Sequence, residues 1–412
     1  MNILMLGPWL PTTRRPLANE RMHQFARHLE KDHRLTLACA TDHPNPVAAV
    51  SALREEYSDL EFAVVPNRWK RLWSVAHLAA GSSAEVAYFS SAALRTRIRD
   101  RARAKQFDLV YVASTSMIPY ALDMAAAVPV VVDFGDLDSE WWRERSQRFS
   151  GLKAKVYETE AERLRAVEIM GARHATRCLV TTPQAAKLVS AFAPSTTVTV
   201  ISEGMEADEP STPPRAGAAQ VIAFNPCLER DSEAQAATAF CDEVLPRVRT
   251  RVARTKLLVG SRTLFPLAKR LTLLPGVEVA SPISSLRGLL RRATVAVAPK
   301  RFRPETHRGL LEAMAAGVPV IATPEALEGL PVQHGREVYV GANSTDFSER
   351  LIELLQKPAL REEMSTKGRA FIRLHYSSTA AAARLNQVIR AAVNGSAHSR
   401  NGKDGRDAGV TA

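Results

Sequence analysis

The sequence has 412 residues, of which 46% are hydrophobic and 24% charged, a composition typical of folded domains that excludes a largely disordered chain. No apolar run approaches the ~20 residues that span a bilayer. The first residues also lack the basic segment and long apolar core of a signal peptide, so we expect a cytoplasmic protein. The formal net charge of +12 predicts an anionic partner, such as nucleotide phosphates or anionic lipid, and the sequence carries no nucleic-acid-binding motif.

Short apolar runs alternate with longer helical ones through the first half of the chain. NILML (2–6) predicts a strand, and apolar residues recur at helical spacing over 19–31. Further strands are predicted at 35–40, 107–114, 129–136, 177–183 and 197–202, and helices at 91–105 and 153–175. Because these strands are apolar throughout and helices separate them, we predict a parallel sheet covered on both faces.

The stretch 206–219 is rich in Pro, Ser, Thr and Gly and predicts a linker. The alternation then restarts, with a helix predicted over 234–248 and strands at 221–224, 256–260, 277–280, 295–299, 318–323 and 337–341. A last helix is predicted at 380–393, and the tail 394–412 has too few apolar residues to fold. The fold class is therefore α/β, with two Rossmann-like domains, 1–205 and 220–379, whose parallel sheets face a cleft.

Glu312 stands in an apolar helical run that stops at Gly317. The polar stretch that contains Pro304 precedes this run, so we expect the helix to start near His307 or Arg308 and Glu312 to lie about one turn in. Amides at a helix start bind phosphate, and a carboxylate can accept two hydrogen bonds from the vicinal diol of a ribose. The alternative is that Glu312 only favours the first turn electrostatically.

Basic residues surround this predicted helix start. Arg301 and Arg308, with Lys300 and Arg303, could bind phosphate oxygens in bidentate geometry. A solvated basic loop after a strand is the alternative.

The loop after the first strand is a second candidate, because Gly7 allows the backbone to turn and Arg14 and Arg15 add positive charge. It contains no GxGxxG, which argues against a dinucleotide site. An ordinary basic loop would look the same.

The segment 130–146 ends a buried strand with several carboxylates. Asp133 and Asp136 could orient an acceptor hydroxyl or act as a catalytic base. Helix capping is the better interpretation for Asp138 and Ser139.

Other features of the sequence indicate less. The basic aromatic stretch 67–78 contains Trp69 and Trp73 at helical spacing and could contact an anionic membrane, although an amphipathic surface helix is the simpler interpretation. The four cysteines show no CxxC spacing and the histidines no HExxH, so we expect buried thiols and no metal site.

Segments spread over the chain up to about residue 393 together resemble family 4 of the glycosyltransferases, which have the GT-B fold. Within that family the sequence is most similar to a bacterial branch associated with exopolysaccharide and PEP-CTERM systems. The block LLEAMAAGVPVIATPEALEGL (310–330) is specific for the family; weaker matches are VVVDFGDLDSEWW (130–142), LPGVEVAS (274–281), VAVAPKR (295–301) and GREVYVG (335–341).

This resemblance implies transfer of a sugar, usually with retention of configuration, from a nucleotide-sugar donor to an acceptor hydroxyl on a polysaccharide, a lipid-linked molecule or a small molecule. The donor would lie on the C-terminal domain and the acceptor on the N-terminal one. Glu312 matches the glutamate that holds the donor ribose, Arg301 matches a basic residue of the branch, and the amides around Arg308 and Gly309 match the diphosphate-binding helix start. The resemblance implies neither a metal nor a cofactor, and it implies that the final helix returns to the first domain.

The sequence departs from the family pattern at three places. Glu305 precedes Glu312 by seven positions where the family often has eight, Gly309 replaces a lysine, and Arg230 follows an altered first loop as a candidate phosphate contact. These departures motivate a second hypothesis, a catalytically silent GT-B protein that binds or activates a partner transferase. A nucleotide-sugar epimerase is a third possibility, because epimerases share this architecture.

Overall fold

The computed structural model contains two compact units, Met1–Gly204 with Thr379–Ala412 (unit 1) and Met205–Ser378 (unit 2). The description covers residues 1–10, 16–41, 50–51, 53–54, 56–57, 59–65, 76–78, 80–147, 149–202, 204–208, 220–228, 231–261, 266–283, 286–299 and 304–407, with the backbone alone at 16–20, 226–228, 231–232, 304–306 and 396–407.

Unit 1 has a parallel sheet in the order β3-β2-β1-β4-β5-β6-β7. Its strands are β1 (Asn2–Gly7), β2 (Arg34–Thr41), β3 (Asp59–Val64), β4 (Leu109–Ala113), β5 (Val130–Gly135), β6 (Arg177–Val180) and β7 (Thr197–Val200). Its helices are α1 (Pro16–Asp32), α2 (Ala84–Phe89), α3 (Ala92–Arg103), α4 (Ile118–Leu122), α5 (Asp138–Ser146), α6 (Gly151–His174) and α7 (Pro183–Phe192).

Unit 2 has a second parallel sheet in the order β10-β9-β8-β11-β12-β13. Its strands are β8 (Gln220–Leu228), β9 (Thr255–Ser261), β10 (Val277–Ala280), β11 (Val295–Ala298), β12 (Val320–Ala322) and β13 (Val338–Val340). Its helices are α8 (Asp231–Glu243), α9 (Leu245–Arg251), α10 (Pro266–Leu271), α11 (Leu286–Leu290), α12 (Pro304–Ala315), α13 (Pro324–Leu327), α14 (Ser344–Gln356) and α15 (Pro358–His375); α16 (Ser378–Asp407) follows them.

Alternating side chains explain why the strands are apolar throughout. In β1, Ile3 and Met5 are buried in the core on one face of the sheet, and Leu4 and Leu6 in the core on the other. Successive side chains of a strand point to opposite faces, so a sheet covered on both sides needs an apolar residue at every position. The prediction of two α/β domains with parallel sheets is confirmed.

Three predicted boundaries were wrong. The helix predicted over 234–248 is two helices, because Pro246 lacks the N–H that a continuous helix needs and lies in the first turn of α9 instead. Helix α12 starts at Pro304 and not near His307 or Arg308, since proline suits the first position of a helix. Helix α16 continues to Asp407 through most of the tail predicted to be disordered, because extending a packed helix needs no new nucleus.

The boundaries of the units lie close to the predicted linker. Residues 205–208 belong to unit 2, where the Met205 N–H donates to the Tyr376 carbonyl (2.7 Å) and the Asp208 N–H to the Ala315 carbonyl (2.8 Å). The rest of the predicted linker, 209–219, lies outside the described residues. Helix α16 packs on unit 1, whose core includes Leu385 and Ile389.

Candidate functional site

The strand order of unit 2 reverses between β8 and β11, and ligands of such sheets bind beyond the carboxyl ends of the strands at this point. The two loops that follow these strands contain Arg230 and Arg301, which lie outside the described residues. The backbone of Glu305 is helical, but its side chain also lies outside the description. The described part of the site is therefore built from α12 and from the elements packed against it.

Glu312 is a buried carboxylate on α12, 8% exposed. Its Oε2 lies 3.4 Å from Nε of Arg287 on α11, and its Oε1 lies 3.9 Å from Nη2 of Arg308, one turn earlier on α12. Because α12 starts at Pro304, Glu312 lies in the third turn and not in the first. A charge effect of the helix start falls off within the first turn, so the electrostatic alternative for Glu312 loses its basis.

Arg287 is a site residue that the sequence analysis missed. Besides Glu312, its guanidinium contacts Oδ1 of Asp208 (3.4 Å) and donates a hydrogen bond to the Glu206 carbonyl. Asp208 in turn accepts two hydrogen bonds of 3.0 Å from Arg291. Arg287 thereby ties the carboxylate on α12 to the segment where unit 2 begins. The only signal in the sequence was the basic character of 286–292.

Gly309 has a packing reason that the sequence did not reveal. A Cβ built on Gly309 would lie 1.7 Å from Oδ1 of Asn225, a buried residue of β8. The asparagine carboxamide thus occupies the space where the resembled branch carries its lysine side chain. The N–H groups of Arg308 and Gly309 lie beyond the first four residues of α12, inside the helix, so they are not the open amides that were predicted there.

In unit 1, Asp133 holds elements together and is not positioned as a catalytic base. It is 4% exposed and forms a two-point ion pair with Arg21 of α1, at 2.8 and 3.1 Å. It also accepts hydrogen bonds from the Tyr111 hydroxyl and, at 3.0 Å, from the Gly135 N–H. A buried carboxylate with both oxygens engaged in this way has no free position for a substrate proton. Asp136 is half-buried and accepts a hydrogen bond from the Thr181 hydroxyl.

The start of α5 is not capped by Asp138 or Ser139, as the sequence suggested. Leu137 occupies the cap position, and Glu168 of α6 accepts hydrogen bonds from the N–H and the hydroxyl of Ser139. Glu160, two turns earlier on α6, does the same for α2 through the Ser83 hydroxyl and the N–H groups of residues 84 and 85 (2.7–2.9 Å). The capping carboxylates thus come from another helix, which local sequence rules do not detect.

Several carboxyl groups of this cluster ionise at unusually high pH. Burial raises the pKa of Glu85 to about 8, with a further contribution from the charge of Asp138, and the Trp142 indole N–H donates to Glu85 (3.2 Å). Burial also raises the pKa of Asp138 to about 6 and that of Glu168 to about 7. Unit 1 therefore holds protons near neutral pH that neither Asp133 nor Asp136 was predicted to hold.

The loop after β1 is described only at its start. Gly7 is buried, and the thioether end of Met22 lies against it, 2.2 Å from where a Cβ would stand. Arg14, Arg15 and the tryptophans Trp69 and Trp73 lie outside the described residues. The role of this loop in binding stays a prediction.

Comparison with known proteins shows the fold of the whole chain. The protein HepE from Anabaena, solved in complex with UDP and glucose, superposes with a TM-score of 0.61 at 14% identity, covering 95% of this chain and 100% of HepE. The sucrose-phosphate synthase of Thermosynechococcus elongatus has a TM-score of 0.65 at 14% identity and covers 95% and 98% of the two chains. The chain has the GT-B fold.

The sequence match is narrower than the structural one. Residues 225–357 match the family model described as "Glycosyl transferases group 1", and no curated protein sequence matches the chain. Staphylococcus aureus TarM, solved with alpha-GlcNAc-glycerol and UDP, is a further GT-B relative by structure, with a TM-score of 0.65 at 10% identity over 94% of this chain and 99% of TarM. The matched region and the fold support glycosyl transfer, and the region contains Asn225, Arg287, Gly309 and Glu312.

Two searches within the described residues returned nothing. These parts of the GT-B chain contain no group of three His, Cys, Asp or Glu side chains that could hold a metal ion. They also contain no helix long and apolar enough to cross a membrane.

Proposed function

We propose that the protein transfers a glycosyl group from a nucleotide-sugar donor to an acceptor hydroxyl of a polysaccharide, a lipid-linked molecule or a small molecule, with retention of configuration. The observation that carries this proposal is the buried Glu312, fixed by Arg287 and Arg308 inside the region that matches the glycosyl transferases group 1 model. The neighbours solved with UDP, UDP-glucose and a glycosylated glycerol support a nucleotide-linked donor and a hydroxyl acceptor.

In this proposal Glu312 binds the donor ribose by accepting hydrogen bonds from its two hydroxyl groups. Arg287 holds the carboxylate in one orientation, because the guanidinium is itself anchored on the Glu206 carbonyl and on Asp208. A buried, pre-oriented carboxylate loses little freedom when it binds, which favours affinity. Arg287 is thus a positioning residue and Glu312 the binding residue.

The departing diphosphate needs positive charge where its own charge develops. We assign this role to Arg230, Arg301 and the first amides of α12, which follow the switch-point strands. The reaction would then proceed without a metal or a cofactor, and activity should survive treatment with a chelator. On unit 1, Asp136 is the remaining carboxylate of the predicted pair for contact with the acceptor.

The proposal is tested by titrating the protein with a panel of UDP-, GDP- and dTDP-sugars in a calorimeter. We expect one class of donor to bind saturably. Glu312→Gln should weaken binding of that donor about 10- to 100-fold, because two hydrogen bonds to a charged group become weaker or are lost. Glu325→Gln, at an exposed glutamate of unit 2, is the matched control and should bind as wild type does. Equal donor affinity in a folded Glu312→Gln variant would contradict the site assignment.

A silent GT-B protein that activates a partner transferase is the second candidate. It is favoured by one observation, the Asn225 carboxamide that fills the position of the lysine side chain of the resembled branch. A silent protein should bind none of the donors in the panel. We further propose that the protein acts in the cytoplasm and meets lipid-linked acceptors by peripheral contact with the inner face of the membrane.

A further inference from the structure

The turn between α5 and α6 in unit 1 exposes apolar side chains that a folded domain would ordinarily bury. Phe149, Leu152 and Val156 are 40%, 80% and 39% exposed. Leu152 and Val156 are four residues apart in the first turns of α6, so they lie on one face of the helix, and Phe149 precedes them. Single exposed apolar residues are common on surfaces, but a contiguous group marks an interaction site. We call this group the α5–α6 tip.

Cationic and aromatic side chains surround the apolar residues of the tip. The Lys153 ammonium lies 3.8 Å from the centre of the Phe149 ring, and the Arg145 guanidinium lies 4.9 Å from that of Tyr157 and 5.0 Å from that of Trp141. Lys155 is exposed on the same turn of α6 as Leu152 and Val156. Over 143–158 the sequence has five basic residues and two acidic ones, Glu144 and Glu158.

We propose that the α5–α6 tip docks on the surface of an anionic lipid bilayer. Leu152, Val156 and Phe149 would enter the boundary between headgroups and acyl chains, where apolar side chains gain by leaving water. Lys153, Lys155 and Arg145 would reach lipid phosphates with their charged ends while their stems lie along the apolar surface. Charge complementarity favours this occupant, since the tip is basic and so is the whole chain, at +12, which disfavours a second copy.

This surface is distinct from the stretch 67–78 that the sequence suggested for membrane contact, which lies outside the described residues at 67–75. It also differs from the site around Glu312, which belongs to unit 2. The proposal requires no glycosyl transfer, so its test and the test of the proposed function can fail independently.

The experiment is co-sedimentation of the full-length protein with phosphatidylcholine vesicles, with and without about 30% phosphatidylglycerol. We expect binding to the anionic vesicles alone. Leu152→Glu should reduce that binding more than tenfold, because it replaces an inserting side chain with a charge that anionic lipid repels. Lys153→Glu with Lys155→Glu should lower affinity at least about fivefold per position, since each cation near such a surface contributes about that factor.

Matched controls separate the tip from the net charge of the protein. Leu273 in unit 2 is 81% exposed, so Leu273→Glu makes the same change on another surface. Lys256→Glu with Lys269→Glu changes two exposed lysines of unit 2 by the same amount of charge. Both controls should bind anionic vesicles as wild type does, apart from a small uniform effect of charge.

Three results would overturn the proposal. Wild-type affinity in Leu152→Glu would remove the tip from binding, and an equal loss in Leu273→Glu would reduce the effect to net charge. A wild-type dimer in light scattering that Leu152→Glu converts to a monomer, with vesicle binding unchanged, would make the tip a contact between copies.

Discussion

The contact between Asn225 and Gly309 shows how one residue type depends on another far away in the sequence. Gly309 is helical, where alanine would ordinarily be the more stable residue, yet the Asn225 carboxamide occupies the position of a side chain there. The asparagine is short and buried, so it has little room to move aside. The glycine is thus required by packing between β8 and α12.

We therefore expect Gly309→Ala to destabilise unit 2 by about 1–3 kcal/mol, as overpacking of a buried contact does. Hydrogen exchange of unit 2 peptides, followed by mass spectrometry, would measure this as faster exchange in β8 and α12. The double variant Asn225→Ala with Gly309→Ala should recover much of the loss, because the clashing atoms are removed.

Gly395→Ala is the control, since nothing lies within 4 Å of a Cβ at this helical glycine. It should be neutral or slightly stabilising. If Gly309→Ala behaves like Gly395→Ala, Asn225 does not restrict the position.

The limits of sequence analysis at this scale follow from the range of the interactions. Glu312 was found because its apolar context is local, whereas Arg287 reaches it from 25 positions earlier and Asn225 reaches Gly309 from another strand. Asp133 was given a catalytic role because its partners Arg21 and Tyr111 come together only in the folded sheet. A sequence shows that a carboxylate ends a strand, but not that two distant side chains already engage it.

Among the elements, α6 supplies two buried carboxylates that act on other helices. Glu160 and Glu168, eight residues apart and so on one side of α6, cap α2 and α5 in turn. Glu85, which follows the capped start of α2, completes a group of buried acids with Asp138. Such a group has a predictable effect on stability, because burial disfavours its ionised forms.

Stability of unit 1 should fall as the pH rises from about 5 to about 9. Burial raises the pKa of Glu85 from its usual 4.5 to about 8, so the folded state binds this proton more tightly than the unfolded state does. That stabilisation is complete below the unfolded pKa and is lost as the pH rises through the folded one. The slope reaches about 1.4 kcal/mol per pH unit for one proton.

Glu85→Gln should flatten this pH dependence and stabilise the protein at the alkaline end, with little effect at the acid end. Urea denaturation followed by tryptophan fluorescence measures it, since all five tryptophans precede residue 143. Asp138 and Glu168, whose pKa values are also raised, should leave a residual slope. Parallel curves for Glu85→Gln and wild type would show that Glu85 does not carry the proton; Glu363→Gln, at an exposed site, should not alter the curve.

Elements were predicted well where hydrophobic periodicity decides them and poorly where single residues set their ends. The central strands were all found, because a strand buried on both faces is apolar at every position. The start of α12 was displaced because Pro304 resembles loop sequence while serving as the first helical residue. The caps of α2 and α5 were missed because their acceptors come from α6.

At the scale of the molecule, unit 1 is built from both ends of the chain. Ala381, Leu385, Val388, Ile389 and Ala392 of α16 lie in the same core as Ile3 and Met5 of β1. The first strand and the last helix thus stabilise one another, although almost the whole sequence separates them.

Leu385→Ala should therefore destabilise unit 1 by about 2–5 kcal/mol, as expected when a fully buried leucine is truncated. Tryptophan fluorescence during urea denaturation reports on unit 1 alone, because no tryptophan follows residue 142. Leu374→Ala, at a leucine that is 74% exposed, should change the midpoint little. Similar midpoints for the two variants would mean that α16 contributes little to this core.

Unit 2 begins and ends at neighbouring points, because Met205 and Ser377 pair side by side and the Ser378 N–H donates to the Met205 carbonyl (3.1 Å). In genetic terms it is an insertion: the coding stretch for 205–378 could be cut out and replaced by a connector of a few codons. The excised stretch could equally be closed on itself and reopened at another loop, since its two ends are about one strand spacing apart. The two halves of this protein could thus be exchanged, permuted or studied alone without redesigning either sheet.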